Sequence, residues 1–159
     1  MAQAAAGNQQ LAPVAAKKQA WVDAHYEDAK AVADKYGVTP EEILGIAALE
    51  SDWGNSRFAK KGNYFGLHAP VQGQTGSVKI ENGPGYAATF NNFRESAEAF
   101  MRTKGRLVVG VKDPTEFARI LQDKGKFGIN IETGKNVPGY VESVAGTIRG
   151  LGAYKPRRR

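Results

Sequence analysis

The chain has 159 residues, of which 42% are hydrophobic and 24% are charged, and it contains no cysteine. This length and composition predict one domain with its own core, and the missing thiols exclude disulfides and cysteine-bound metals. The formal net charge of +6 favours anionic partners, and the two histidines are too few for a histidine-rich zinc site.

The N-terminal segment has the composition of a linker. Residues 1–16 are small and polar and are interrupted by Pro13, so we expect a disordered leader there. It lacks the basic start and apolar run of a Sec-type signal peptide, which leaves the export route open. No apolar run reaches the ~18 residues that a membrane span needs. We expect the folded domain over residues 17–153 and a basic, solvated tail over 154–159.

Two helices are predicted in the first third of the domain. An apolar stripe at helical spacing predicts the first over about residues 17–36, with Gly37 ending it. His25 falls on the polar side of this helix and is expected to face water. The second helix begins at Thr39-Pro40-Glu41-Glu42, with Thr39 as the N-cap and Glu42 completing a capping box, and it runs to about Ser51.

Glu50 is the most informative residue of the second helix. It continues the apolar stripe of Ile43 and Ile46, where an ordinary helix would place leucine or isoleucine. Burial and a position in the last helical turn both disfavour the charged form, which raises the pKa of Glu50 and suits it to act as a general acid. The alternative is a side chain that turns to solvent or pairs with a lysine.

The remaining elements predict an α+β fold in which helices dominate. Alternating apolar residues on both sides of Asn82-Gly83 predict a β-hairpin over residues 75–91. Helices resume at Phe93 and again after the cap signature Asp113-Pro114-Thr115-Glu116. A loop rich in glycine and asparagine over residues 126–139 precedes the last helix. This order predicts a cleft between a helical body and the hairpin.

Two motifs flank a short connection after the second helix. They are Ala47-Ala48-Leu49-Glu50-Ser51-Asp52-Trp53-Gly54 and Asn63-Tyr64-Phe65-Gly66. Together they resemble the signature of glycoside hydrolase family 73, whose pattern is close to A-x-x-E-S-G-W-G followed by N-L-F-G. These N-acetylglucosaminidases include the C-terminal domain of flagellar FlgJ proteins. The resemblance covers about residues 20–152. Asp52 replaces the usual glycine and is expected to be a solvated loop residue.

The resemblance implies a lysozyme-like fold and a catalytic site. The substrate would be peptidoglycan glycan strands, cut at the β-1,4 bond between N-acetylglucosamine and N-acetylmuramic acid. Glu50 would be the general acid, with Tyr140 beside it to steady the substrate or the acid. Relatives often carry a second carboxylate on the hairpin. Here Lys79 stands near that position, and Glu81 is either its substitute or an ordinary turn residue. Without that carboxylate, the acetamido group of the substrate would take part in the reaction.

Five residues are candidates for substrate binding, because aromatic side chains near glycine and asparagine suit sugar rings. They are Trp53, Asn63, Tyr64, Phe65 and His68. Packing in the core is the competing interpretation for Phe65 and Trp53, since large aromatic residues are usually buried. The sequence implies no metal and no cofactor.

Other functions stay open. A lytic transglycosylase also uses one glutamate in a Glu-Ser context, although the loop at residues 63–66 argues against it. A non-catalytic wall-binding module is a second alternative, and nucleic-acid binding lacks a basic, aromatic face. We expect a monomer that acts in the periplasm, at the cell envelope or outside the cell, without a nucleic-acid partner. Flagellar assembly, cell separation, phage release and delivery as an antibacterial toxin all remain possible processes.

Overall fold

The computed structural model describes the backbone of residues 2–157 and the side chains of residues 13–157. In that part of the chain, the α-helices are α1 (Ala2–Tyr36), α2 (Pro40–Glu50), α3 (Phe93–Arg102), α4 (Pro114–Asp123) and α5 (Tyr140–Leu151). Two strands, β1 (Gly76–Lys79) and β2 (Tyr86–Thr89), form an antiparallel sheet. The predicted α+β fold, with helices dominant, is confirmed. No helix among the described residues is long and apolar enough to span a membrane.

Helix α1 begins earlier than the sequence predicted. We expected no regular structure in residues 1–16, but α1 starts at Ala2 and contains Pro13. Alanine, glutamine and leucine in this stretch favour helix, and Pro13 removes a backbone donor without ending the helix. Met1 lies outside the described residues. The predicted apolar stripe of α1 is buried, since Val22, Ala29 and Ala33 expose no surface. The division into leader, domain and tail stays a prediction.

Helix α2 is held on both sides by the helices that pack on it. The Nε1 atom of Trp21 in α1 donates a hydrogen bond to the backbone oxygen of Leu44 at 3.0 Å. On the α5 side, Gly45 allows close packing, because a Cβ atom there would lie 2.6 Å from Cγ1 of Ile148. The predicted capping box of Thr39 and Glu42 is present at the start of α2. These contacts fix the helix whose last residue is Glu50.

The C-terminal tail contacts α1 through Arg157, whose side chain is 70% exposed, and the solvated tail stays a prediction. The backbone nitrogen and Nε of Arg157 each donate a hydrogen bond of 2.8 Å to the carboxylate of Asp23. These hydrogen bonds lower the pKa of Asp23 to about 2. Gln19 also donates a hydrogen bond to the backbone oxygen of Lys155, at 2.7 Å. The Asp23 carboxylate thus anchors the tail to α1 at Arg157. Arg158 and Arg159 lie outside the described residues.

The hairpin is present where it was predicted, but its turn is longer. Gly76 pairs with Thr89 and Lys79 with Tyr86, and residues 80–85 connect the two strands. Asn82-Gly83 therefore lies inside a wide turn, in which Gly85 takes the positive φ of +86°. Wide turns with a glycine in the left-handed region are an ordinary alternative to two-residue turns.

Candidate active site

A cavity of about 720 Å³ lies between the end of α2, the segment at residues 65–68, the loop at residues 125–131 and the start of α5. It brings together four residues predicted from the sequence, which are Glu50, Phe65, His68 and Tyr140. No residue of the hairpin is among those described as lining it. This cavity is therefore not the predicted cleft between the helical body and the hairpin, because its described walls are helix ends and loops.

Glu50 is the one acidic side chain among the described residues that line the cavity. It is the last residue of α2, and burial raises its pKa from 4.5 to about 7. None of the described groups donates a hydrogen bond to its carboxylate that would oppose this effect of burial. The carboxylate lies against Gly66, where a Cβ atom would be 3.7 Å from Oε2. Glu50 is therefore protonated in part of the molecules at neutral pH.

Ser51 turns the chain sharply after Glu50. Its buried hydroxyl donates a hydrogen bond to the backbone oxygen of Ala47 at 2.6 Å and accepts one from the nitrogen of Gly54 at 2.9 Å. The turn places Asp52 and Trp53 in the left-handed region, with φ of +50° and +54°. This conformation favours glycine. A glycine at position 52 of the family pattern thus has a physical reason that the sequence alone did not show.

Asn63 is a structural residue, which corrects its predicted role in substrate binding. Its Nδ2 atom donates hydrogen bonds of 2.9 Å to the backbone oxygens of Leu67 and Ala88. Its Oδ1 atom accepts hydrogen bonds from the backbone nitrogens of Phe65 and Leu67. The buried amide has no capacity left for a ligand. Instead it folds the segment at residues 63–67 around itself and ties that segment to β2.

The segment held by Asn63 determines where Phe65 and His68 lie. Phe65 is buried and stacks on Phe100 with ring centroids 4.8 Å apart, so it is a core residue. It also contributes to the cavity wall. His68 is exposed at the cavity and forms a β-bridge with Ala87. A contact between His68 and substrate stays a prediction.

Tyr140 begins α5 and borders the same cavity as Glu50. Its hydroxyl is buried, and among the described residues it has no hydrogen-bond partner. Burial raises the pKa of Tyr140 above its ordinary value, and the nearby negative charge of Glu50 adds to that rise. A buried hydroxyl without a partner is rare in folded proteins, so this one requires an explanation beyond packing.

The loop before α5 supplies the other wall. Gln122, buried in α4, donates hydrogen bonds to the backbone oxygens of Gly128 at 3.0 Å and Val137 at 3.5 Å. The nitrogen of Val137 also donates to the oxygen of Gly128 at 2.7 Å. These bonds hold two distant points of the loop together. The sequence did not indicate Gln122 or Gly128, because neither lies in a motif and only the folded loop brings Gly128 to Tyr140.

Trp53 and Tyr64 are separated from this cavity, contrary to their grouping with the acid in the sequence. They line a second groove of about 490 Å³ together with Trp21 and His25 of α1. Their rings pack in a mutual cluster, in which His25 stacks on Phe93 with centroids 4.4 Å apart. His25 is half-buried in this cluster, contrary to the expectation that it faces water, and burial lowers its pKa to about 4. A role for Trp53 and Tyr64 in substrate binding stays a prediction.

Glu81 lies in the turn of the hairpin, away from the residues that line the cavity. Its side chain is 74% exposed and forms a long ion pair of 3.9 Å with Arg57. Such exposed pairs contribute little to stability, and exposure leaves the carboxylate in water. The geometry describes an ordinary turn residue in this conformation, and a catalytic role for Glu81 stays a prediction.

Comparison with known protein families gives a match over most of the chain. Residues 26–153 match the family model described as mannosyl-glycoprotein endo-beta-N-acetylglucosaminidase. The chain is also 29% identical over 103 residues to exo-glucosaminidase LytG of Bacillus subtilis (strain 168). That match covers 54% of this chain and 35% of the relative, so the chain spans about a third of the relative's length.

Solved structures share the fold. A chain from the structure of a type VI secretion system effector-immunity complex from Pseudomonas protegens has a TM-score of 0.72 and 30% identity, covering 86% of this chain and 92% of that one. A C-terminally truncated glycoside hydrolase domain of Salmonella typhimurium FlgJ has a TM-score of 0.62 and 20% identity. That match covers 87% of this chain and 99% of the FlgJ chain.

Proposed function

The chain belongs to the glucosaminidase family, glycoside hydrolase family 73, and from that membership we propose that it hydrolyses the glycan strands of peptidoglycan. The bond cut is the β-1,4 bond between N-acetylglucosamine and N-acetylmuramic acid. The fold is the lysozyme-like fold that the resemblance implied. One observation carries the proposal: among the described residues that line the cavity, a single one carries a carboxyl group, Glu50, and burial raises its pKa to about 7.

Glu50 acts as the general acid. In its neutral form it gives its proton to the glycosidic oxygen while the bond from that oxygen to C1 of N-acetylglucosamine breaks. Proton transfer is efficient when the pKa of the acid is near the working pH, which a solvated glutamate with a pKa near 4.5 would not satisfy. The leaving muramyl sugar departs as a neutral alcohol.

The absence of a second carboxylate from the described lining supports participation by the substrate itself. The acetamido oxygen of N-acetylglucosamine attacks C1 as the leaving group departs, which gives a bicyclic intermediate. Water then opens that ring at C1 and loses a proton to the Glu50 carboxylate, which restores the acid. This course retains the configuration at C1, and NMR of the newly released sugar tests it. An initially α-configured product would indicate inversion and a base from elsewhere, such as Glu81.

Tyr140 completes the proposed site as a hydrogen-bond donor to the substrate. Its hydroxyl lies beside Glu50, yet no described group pairs with it. A sugar or acetamido oxygen in the cavity would supply the missing acceptor. This assignment selects the substrate, rather than the acid, as the group that Tyr140 steadies.

Product analysis on purified peptidoglycan tests the activity. Wild type is expected to release fragments with reducing N-acetylglucosamine ends, and Glu50→Gln to release none while it keeps its fold. Anhydro-muramyl ends would instead identify a lytic transglycosylase. Binding to sacculi without cleavage by wild type would leave only the wall-binding module. Glu81→Gln is the matched carboxylate variant and is expected to retain activity.

The proposed substrate places the action at the cell envelope. Similarity to a chain of an effector-immunity complex supports delivery to an envelope as an antibacterial effector, among the processes left open. Production in a Gram-negative host with an added signal peptide is expected to lyse cells, whereas production without it is not. Equal lysis by the Glu50→Gln variant would contradict a hydrolytic cause.

A further inference from the structure

Two lysines line the cavity that holds Glu50, and the proposed reaction uses neither. Lys104 begins the short 3-10 turn Lys104–Val108 after α3, and Lys126 lies in the loop before α5. Both side chains are exposed. Within residues 13–157, neither ammonium group has a carboxylate within the 4.0 Å of an ion pair. Both cations are therefore open to a ligand in the cavity.

Lys126 is held at the cavity by an unusual backbone. Its φ of +62° lies in the left-handed region, which is disfavoured for a lysine. The residues around it are fixed, because Gly125 packs against Leu121 and Gly128 is hydrogen-bonded to Gln122. Strain of this kind persists where the surrounding structure imposes it, and it is concentrated at ligand sites.

The charge of the cavity points to an anion. Lys104 and Lys126 contribute two positive charges, and Glu50 is the one acidic group in the described lining. While Glu50 is protonated, as its proposed role requires, no negative charge in that lining offsets the two lysines. A concave site of one sign raises the local concentration of ions of the opposite sign.

We propose that Lys104 and Lys126 form a carboxylate-binding subsite, which selects glycan strands with acidic substituents over neutral strands. The inference rests on the proposed function, because it concerns the same cavity and polymer. Peptidoglycan offers carboxylates from two sources. One is the stem peptide, and the other is the lactyl group of the muramyl sugar after the peptide has been removed. Both share the chemistry that an ammonium group recognises.

The test compares kcat/KM on three forms of one peptidoglycan preparation. These are native strands, strands whose carboxylates have been converted to neutral amides, and strands stripped of peptides by an amidase. Lys104→Gln and Lys126→Asn are each expected to reduce cleavage of native strands about two- to fivefold, the range of an exposed ion pair. Asparagine tolerates the left-handed backbone at position 126, so the turn is kept. Neither change is expected to affect cleavage of the amidated strands.

The controls separate charge from shape. Lys112→Gln removes an exposed lysine outside the lining and is expected to change nothing. Lys104→Arg and Lys126→Arg are expected to keep the preference for native strands, and added salt to weaken it. A loss of cleavage of the stripped strands in Lys104→Gln and Lys126→Asn would identify the lactyl carboxylate as a ligand, and a loss confined to the native strands would identify the peptide carboxylates.

An equal loss on native and amidated strands would overturn the subsite, since the lysines would then act without recognising charge. The subsite would also be overturned if wild type cleaved native and amidated strands equally fast. Failure of wild type to cleave any of the three forms would instead overturn the proposed function, so the two failures are distinct.

Discussion

The aromatic ring of Tyr140 packs directly against the α-carbon of Gly128. A Cβ atom built on Gly128 would lie 2.3, 2.5 and 2.7 Å from three carbons of that ring. Gly128 also takes a φ of +61°, and its backbone oxygen accepts hydrogen bonds from Gln122 and from Val137. The loop before α5 is thereby locked to the side chain that borders Glu50, so the loop positions a proposed catalytic group.

The first prediction follows from this contact. Gly128→Ala is expected to reduce turnover at least tenfold and to destabilise the fold by about 2–3 kcal/mol, because the new methyl group displaces Tyr140 and the backbone is strained. Gly134→Ala is the matched control, since Gly134 has a similar φ of +69° but open space around it. It is expected to cost about 1 kcal/mol with unchanged turnover. Thermal unfolding and kinetics on both variants separate the clash from the strain.

The second prediction concerns the hydroxyl of Tyr140. Tyr140→Phe is expected to lower kcat about 100-fold, in the range seen when one donor to a transition state is removed. Stability is expected to stay the same or rise slightly, because the buried hydroxyl has no partner among the described residues. Kinetics checks the loss of kcat, and unfolding in denaturant checks the stability. A clear loss of stability would indicate a structural partner and would contradict the assignment to substrate.

The third prediction is the pH dependence of cleavage. Glu50 must be protonated to act, and burial raises its pKa to about 7. We expect kcat/KM to be high below pH 7 and to fall tenfold per pH unit above it. Measurement of kcat/KM from pH 5 to 9 checks this. Glu142→Gln, which removes an exposed carboxylate on α5, serves as the control and is expected to keep the same profile. A midpoint near pH 4.5 would show that Glu50 is solvated.

The fourth prediction uses Glu42, a fully buried carboxyl whose Oε2 atom has no partner among the described residues. Burial raises its pKa from 4.5 to about 7, so folding favours the protonated form. Its stabilising contribution is therefore present below pH 4.5 and is lost as pH rises through about 7. Glu42→Gln keeps an acceptor for the Thr39 backbone and is expected to remove this loss, raising stability at pH 8 by at most about 3 kcal/mol.

Chemical unfolding at pH 5 and pH 8 measures the effect of Glu42→Gln. Glu142→Gln, which removes an exposed carboxylate on α5 that does not contribute to the pKa of Glu42, is the control and is expected to leave the pH dependence unchanged. If the wild-type free energy of unfolding did not fall between the two pH values, the burial of Glu42 would be contradicted.

The fifth prediction concerns Asp52, which takes a φ of +50° where the family pattern has glycine. Asp52→Gly is expected to stabilise the protein by about 1 kcal/mol, because glycine adopts this conformation without steric strain. The Asp52 side chain is exposed and is not part of the described cavity lining, so activity is expected to be unchanged. Thermal unfolding and the cleavage assay test the two statements. A loss of cleavage would show that Asp52 influences Glu50.

Local signals in the sequence determined much of this protein. The capping box at Thr39, the end of α2 near Glu50, the hairpin strands and the Asp113 cap of α4 all depend on neighbours within a few residues. Periodicity also identified the half-buried position of Glu50, because a helix places residues three and four apart on one face. The resemblance of two motifs then identified the family.

Only the tertiary structure decided what surrounds the acid. Asn63 and Trp53 stand near Glu50 in the chain, yet one is consumed by backbone hydrogen bonds and the other lies in a separate groove. Lys126 and Gly128 are remote in the chain but border the cavity with Glu50. Short-range patterns determine which way a residue points on its own element. Which distant loops meet there depends on how helices pack and how a loop closes, as Gln122 closes the loop before α5.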